Sequence, residues 1–310
     1  MYQTKFRAFQ LATDGSLFSY YKQNQYTLIE ARLPKGGIEV LQQDLDYHGK
    51  TTIDTLHITS WDEDHCHFEE LTQIINHFRP NRIEVPHYQP DSNNSKLCYE
   101  TLMRYDHIHQ RRVHNVQVID RAYLNSLTPG KPGEINNIVY ESMFNCDCKN
   151  DMSLIELFRS AGFNVLSLGD CESADTAKRL MDSEIIRRDV DVLILPHHGA
   201  DNGFISPEFL RRVNPKLAIC SSNHGNQYDH PKEEIRKMLY EANIPLYTTK
   251  TGDVFIYKTT DNPNARAVNF NADNNGVSSE HYFTPKPKAM AFSYSPLQPK
   301  PCEQGFGFGS

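Results

Sequence analysis

The stretch from Thr55 to His65, Thr-Leu-His-Ile-Thr-Ser-Trp-Asp-Glu-Asp-His, constrains this chain more than any other. An apolar run containing Leu56 and Ile58 ends in Ser60, Asp62, Asp64 and His65, and an amphipathic segment follows from Phe68 to Phe78. The pattern is a strand that delivers acids and an imidazole to a loop at a helix start. Hard divalent cations take carboxylate oxygens, borderline ones take imidazole, and closely spaced ligands on one loop lower the cost of ordering them. Taken alone, the segment leaves two readings open. Asp62, Asp64 and His65 hold metal, or the two aspartates cap the helix, where free N–H groups and the helix dipole favour an anion.

Two later stretches repeat the pattern. Phe163-Asn-Val-Leu-Ser-Leu-Gly-Asp170 is a β-rich run that closes on Gly-Asp, and Val190-Asp-Val-Leu-Ile-Leu-Pro-His-His-Gly199 is a buried-strand pattern that closes on His197 and His198. Apolar strands that each end in metal-compatible side chains read as one site built along one edge of a sheet sandwich. A fourth short motif, Tyr228-Asp-His230-Pro231, lies before a helix, so His230 is either a ligand or acid of the site or a residue of the helix start.

Together these motifs resemble the metallo-β-lactamase superfamily, and within it the hydrolase domain of competence DNA-uptake (ComEC-type) proteins. That pattern runs Ser/Thr-His-x-Asp-x-Asp-His, Thr-Gly-Asp, Pro-His-His-Gly-Ser and Tyr-Gly-His-Pro, and the likeness spans roughly residues 5 to 257. The resemblance implies an α/β chain folded as a four-layer αββα metallo-β-lactamase-like sandwich. It further implies one or two divalent ions held by Asp62, Asp64, His65, Asp170, His197 and His198, with Asp170 bridging. Catalytic roles fall on Asp64, His198 and His230, and the substrate class is a phosphodiester, with nucleic acid or a nucleotide as the partner. Two departures stand out. The family's first histidine falls on Ser60, and Cys66-His67-Phe68-Glu69 replaces the glycine pair after Asp-His. Asp14-Gly15-Ser16 and Glu30 are looser matches to the family's opening Gly-Asp-Ser and Asp. Serine is a poor zinc ligand, so the remaining oxygen-rich set of Asp62, Asp64 and Asp170 favours manganese or magnesium over zinc. The alternative is a degenerate, non-catalytic fold used as a binding or scaffold module. His87, directly after a strand, is the candidate to replace the missing imidazole.

Composition sets the remaining bounds. A net charge of −7 argues against a protein that coats nucleic acid, leaving Arg111-Arg112 and Arg211-Arg212 as small candidate phosphate contacts. No apolar run approaches the roughly 20 residues of a membrane span, and the first residues lack a secretory apolar stretch, so a cytoplasmic location is expected. Seven irregularly spaced cysteines make no disulfide framework, and Cys146-Asp-Cys148 is too tight for a common zinc loop. His107, His109 and His114 sit on a polar helix and are expected at its solvated face. Residues 1–258 are expected to form the domain, closed by a hairpin of Leu246–Thr249 with Asp253–Tyr257. Residues 259–310, rich in Pro, Asn and Gly, read as a flexible tail and a possible contact for a protein partner.

Overall fold

The computed structural model describes residues 2–109, 115–127, 135–144 and 146–288. In chain order the elements are β1 (Tyr2–Ala8), β2 (Phe18–Lys22), β3 (Gln25–Ile29), α1 (Ile38–Tyr47), β4 (Thr55–His57), α2 (Phe68–Phe78), β5 (Arg82–Pro86), α3 (Asn93–His109), β6 (Val116–Ile119), α4 (Arg121–Ser126) and β7 (Ile138–Tyr140). Then come β8 (Ile155–Phe158), β9 (Val165–Ser167), α5 (Ala174–Asp182), α6 (Glu184–Asp189), β10 (Val192–Ile194), α7 (Pro207–Val213), β11 (Leu217–Cys220), α8 (Glu233–Glu241), β12 (Leu246–Thr248), β13 (Val254–Thr259), β14 (Ala265–Phe270) and β15 (Val277–Phe283).

Strand alternation sorts these residues into layers. On β10, Val192 and Ile194 face one way and Leu193 the other; on β11, Leu217 and Ile219 oppose Ala218 and Cys220. The first set joins Phe6, Tyr20, Ile29, Phe158 and Val165 in a core between two sheets. One sheet has nine strands in the order β15-β14-β13-β1-β2-β3-β4-β5-β6, and the other six in the order β12-β11-β10-β9-β8-β7. Helices α1, α2 and α3 cover the outer face of the first sheet through Leu41, Leu45, Leu71, Ile74, Phe78 and Leu102. Helices α5 to α8 cover the second through Ala177, Leu180, Ile186, Phe209 and Leu239. Helix, sheet, sheet, helix is the αββα sandwich expected from the motifs, and each apolar face finds a partner layer.

Helix ends follow local chemistry. Ser206 caps α7 by accepting from the Phe209 N–H, with Pro207 in the first turn. Ser183 separates α5 from α6, because it closes α5 and its hydroxyl caps α6 by accepting from the Ile186 N–H. On α1, the buried Asp44 gathers Lys5 Nζ (2.8 Å), Arg7 Nη1 (3.0 Å), Ser19 Oγ (2.9 Å) and Tyr26 OH (2.8 Å), which pins that helix to β1, β2 and β3.

Two expectations are corrected. The Leu246–Tyr257 segment is no hairpin: β12 pairs in parallel with β11 in the second sheet, whereas β13 crosses to the first and pairs antiparallel with β1. The domain does not stop at residue 258 either. Strands β14 and β15 extend the first sheet, Phe283 is buried against Phe163, and the Lys286 N–H donates to Asp191 Oδ1 at 2.7 Å while Lys288 pairs with the same carboxylate. Its Asn-rich turns disguise this hairpin, since only alternate residues of an edge strand need be apolar. The remainder of the expected tail, 289–310, lies outside the described residues, as do Arg111, Arg112 and His114. Among the described residues no helix is long and apolar enough to cross a membrane.

The buried hairpin is tested by Phe283→Ala. It should cost about 3 kcal/mol in urea unfolding through the lost aromatic volume, whereas a tail residue would cost nothing measurable.

Candidate metal centre

Loops from both sheets meet at one edge of the sandwich. β3 runs into Glu30, β4 into the loop at 58–66, β9 into Gly169-Asp170, and β10 into a 3-10 turn over Pro196–Gly199. The backbone bends sharply to achieve this. Gly169 has φ +52 and an added Cβ would lie 2.7 Å from that of Ser153; Gly199 has φ +80 and its Cβ would meet Pro231 at 2.6 Å. Between them, His197 and His198 are themselves left-handed, at φ 45 and 52. Such conformations cost about 1–3 kcal/mol each and persist only where surroundings enforce them.

The result is a compact set. One ligand atom each from Asp64, His65, Asp170 and His198 lies within 4.8 Å of all the others. His65 Nε2 is 2.9 Å from Asp170 Oδ1 and 3.9 Å from Asp64 Oδ1, and His198 Nε2 is 3.0 Å from Asp64 Oδ2. The site opens into a cavity of ≈ 250 Å³ whose walls include Asp14, Asp62, Asn150, His197, Tyr228 and His230. Rings of His197 and His230 are 6.0 Å apart, and those of His198 and His230 6.4 Å.

Each imidazole is held from behind. His65 Nδ1 faces Glu30 Oε1 at 3.1 Å, and Glu30 accepts from the Thr59 N–H (3.0 Å) and hydroxyl (2.5 Å). His198 Nδ1 faces the Ser221 carbonyl at 2.9 Å, and His197 Nδ1 faces Glu172 Oε1 at 2.5 Å. Glu172 is also fixed by Asn150 Nδ2 at 2.9 Å. With Nδ1 facing an oxygen in each case, Nε2 points into the site, and a neutral ring protonated on Nδ1 would offer its Nε2 lone pair there, as metal-ligating histidines do.

Charge follows from this packing. Burial opposes ionisation of Asp64, but His65 and His198 outweigh it and hold its carboxyl well below the usual range. Burial likewise opposes charge on His65 and His198, yet the facing carboxylates raise both above an ordinary histidine. His230 goes the other way: burial and then the neighbouring imidazoles push it down to about 4. Asp62 is raised, chiefly by burial.

The donor set fits a divalent ion. His65 Nε2 is buried and has no hydrogen-bond partner although Asp170 Oδ1 is 2.9 Å away. Two atoms that approach so closely without hydrogen-bond alignment have the spacing of adjacent ligands on one ion, about 3 Å for bonds of about 2.1 Å.

The sequence-derived residues divide accordingly. Asp64, His65, Asp170 and His198 converge; Asp62, His197 and His230 stand on the cavity wall. Helix capping does not account for the aspartates, since His67 is the N-cap of α2 without a side-chain bond and the Phe68 N–H goes to Asn94 Oδ1. Nor is His230 a cap, because α8 begins after Lys232. His87 neither joins the four nor lines the cavity; its ring lies 4.1 Å from that of Phe144. The neighbouring Tyr88 does reach Ser60: its phenol oxygen lies 2.9 Å from the Ser60 hydroxyl and accepts from the Trp61 N–H. Cys146 and Cys148 join no metal-ligating group among the described residues, and Arg212 is paired with Asp182 and Glu208. Sequence reading left Glu30 as a loose match and missed Tyr88 and the Glu172 support of His197, whose only signal was a position beside a motif.

No protein-family model matches the chain. It is 24% identical over 223 residues to ComE operon protein 3 of Bacillus subtilis strain 168, an alignment covering 72% of this chain and 26% of that protein. The chain thus spans about a quarter of that relative's length, 26%. Igni18, described as a novel metallo hydrolase from the archaeon Ignicoccus hospitalis, superposes with a TM-score of 0.51 at 12% identity, covering 82% of this chain and 100% of that one. The metallo-β-lactamase fold protein YhfI of Bacillus subtilis gives 0.47 at 10% identity, covering 82% and 99%.

Glu30→Gln tests the support behind His65. It keeps an acceptor for Thr59 but removes the charge, and it should weaken divalent-ion affinity about 10–100-fold in competition with a chromophoric chelator. Unchanged affinity would mean that Glu30 plays no orienting part.

Proposed function

We propose, starting from a chain that has the metallo-β-lactamase fold and is ComEC-like in sequence, that it is a metal-dependent hydrolase acting on phosphodiesters. The observation that carries this reading is the convergence of Asp64, His65, Asp170 and His198 at an open cavity whose wall bears further imidazoles. These four residues would hold a divalent ion, and Asp62 and His197 are the wall donors closest in character to a second set. The bound ion supplies a water of lowered pKa and offsets charge that develops on the substrate.

The chain's own groups account for the rest. Asp64, kept ionised by its two imidazole neighbours, faces the cavity as a hydrogen-bond acceptor that can orient a water there. His230 is neutral at pH 7 and offers one donor and one acceptor to substrate at the cavity mouth. Tyr228, stacked on the His230 ring at 5.6 Å and exposed on its other side, presents an aromatic face of the kind a nucleobase stacks on. Of the three aspartates and three histidines expected, two carboxylates and two imidazoles converge, and such mixed donors suit manganese or zinc better than magnesium.

One observation favours the other reading, a non-catalytic binding module. Where the resembling family has its first histidine, Ser60 is buried and bonded to Tyr88, and among the described residues the converging set holds two imidazoles, His65 and His198.

Chelator-treated protein reloaded with manganese should hydrolyse bis(p-nitrophenyl) phosphate, a cyclic nucleotide or single-stranded DNA, with zinc- and magnesium-loaded protein measured alongside. Asp170→Asn should reduce the rate roughly 100-fold or more by removing a ligand charge. Protein that stays folded, takes up no manganese and turns over none of these substrates would select the binding module instead.

A further inference from the structure

A second cluster lies inside the sandwich. On β4, Leu56 faces the outer core, as do Ile83 and Val85 on β5 and Ile155 and Leu157 on β8. The alternate positions on these strands face between the sheets, where other strands place Phe6, Tyr20, Val192 and Ile219. Here those positions hold His57, Glu84 and Glu156, which are 0%, 8% and 3% exposed.

Their geometry has a single focus. His57 and Glu84 are direct neighbours across the parallel β4–β5 register, and Glu156 approaches from the opposite sheet. His57 Nδ1 lies 2.9 Å from Glu84 Oε2 and 3.2 Å from Glu156 Oε2. Each carboxylate spends its other oxygen elsewhere: Glu84 Oε1 accepts from Arg82 Nε at 2.7 Å, and Glu156 Oε1 from Asn137 Nδ2 at 2.8 Å. Both inner oxygens therefore aim at the same nitrogen, with their outer oxygens anchored as the supporting groups of a metal site are.

A single proton does not satisfy this arrangement, although burial raises the Glu156 carboxyl to about 7 and a second proton there competes with a cation. One on His57 Nδ1 bonds to Glu84 Oε2 and leaves Glu156 Oε2 buried without a partner. A buried carboxylate oxygen with no donor is costly. The separations of 2.9 and 3.2 Å are instead those of neighbouring ligands around one small cation. Calcium takes six to eight oxygens and magnesium prefers an all-oxygen octahedron, whereas zinc takes four ligands and mixes imidazole with carboxylate, so that three residues and one water would complete its shell.

We propose that His57, Glu84 and Glu156 form a structural zinc site that ties β4 and β5 of one sheet to β8 of the other, separate from the cavity site. The test uses the full chain carrying Asp64→Asn and Asp170→Asn, which dismantles the cavity set, loaded with zinc chloride and dialysed exhaustively against chelator. Elemental analysis should find about one zinc ion per chain, and adding Glu156→Gln should lower this at least about tenfold, the loss expected when a ligand charge goes. No retained zinc in the Asp64/Asp170 variant, or retention unaffected by Glu156→Gln, overturns the proposal. Should the triple variant fail to fold, anomalous diffraction from zinc-loaded crystals of the double variant decides it. A peak about 2.1 Å from His57 Nδ1 supports the site, and a bare nitrogen overturns it.

Discussion

The approach of His65 to Asp170 is the constraint on which this edge of the molecule depends. His65 follows a strand of the nine-stranded sheet and Asp170 a strand of the six-stranded one, so their 2.9 Å separation crosses the sandwich. Both are nearly fully buried, and neither would be tolerated there without a compensating group. The fold accordingly concentrates its backbone specialities at this edge. Gly15 has φ +135 beside the Asp64 carbonyl, the Ser16 N–H donates to that carbonyl at 3.0 Å, and the Ser221 hydroxyl reaches back to the Gly15 carbonyl at 2.9 Å. Loops of the two sheets thus hold one another through the same segments that carry the ionisable groups.

That division explains what could be read from the sequence. Strands that end in Asp-His, Gly-Asp and His-His-Gly announce themselves, because an apolar period of two followed by polar donors has few other uses. The partners behind them do not. Glu30 closes an ordinary strand, and only the three-dimensional meeting of β3 with β4 brings it to His65 and Thr59. Tyr88 lies 28 residues beyond Ser60 and was overlooked in favour of His87, a better ligand by residue type but one whose ring turns to Phe144. Sheet assignment failed for a related reason. A parallel strand such as β12, three residues long, carries no mark of which sheet it joins, and proximity to β13 argued for the wrong one. The edge hairpin of β14 and β15 was hidden because its exposed face is polar and its turns are rich in Asn and Gly. Composition read it as a tail, although its alternate residues Ala265, Ala267 and Phe283 are core.

His57 shows the same limit from the opposite side. Its neighbours Leu56 and Ile58 identify the strand, and alternation alone assigns His57 to the inner face. Recognising it as part of a cluster required Glu84, which lies beyond α2, and Glu156, which lies beyond β5, β6 and β7. The inner layer of a sandwich is ordinarily apolar, so three ionisable residues at equivalent inward positions replace hydrophobic burial with an interaction that depends on what lies between them.

Ser60 carries the final step. Losing an imidazole at a metal site ordinarily leaves a void or a water, but here the Tyr88 phenol and the Ser60 hydroxyl bond to one another while the Trp61 indole donates to the Tyr88 carbonyl at 2.9 Å. The Ser60 hydroxyl also accepts from the Asp62 N–H at 3.2 Å, which fixes the turn that carries Asp62, Asp64 and His65. Ser60 and Tyr88 thus give the loop a hydrogen-bonded base at the position where the resembling pattern carries a histidine. Because His65 and His198 retain their own supports from Glu30 and from the Ser221 carbonyl, the four remaining donors keep their geometry without it. The chain departs from the resembling pattern at this position on a scaffold that still brings Asp64, His65, Asp170 and His198 together.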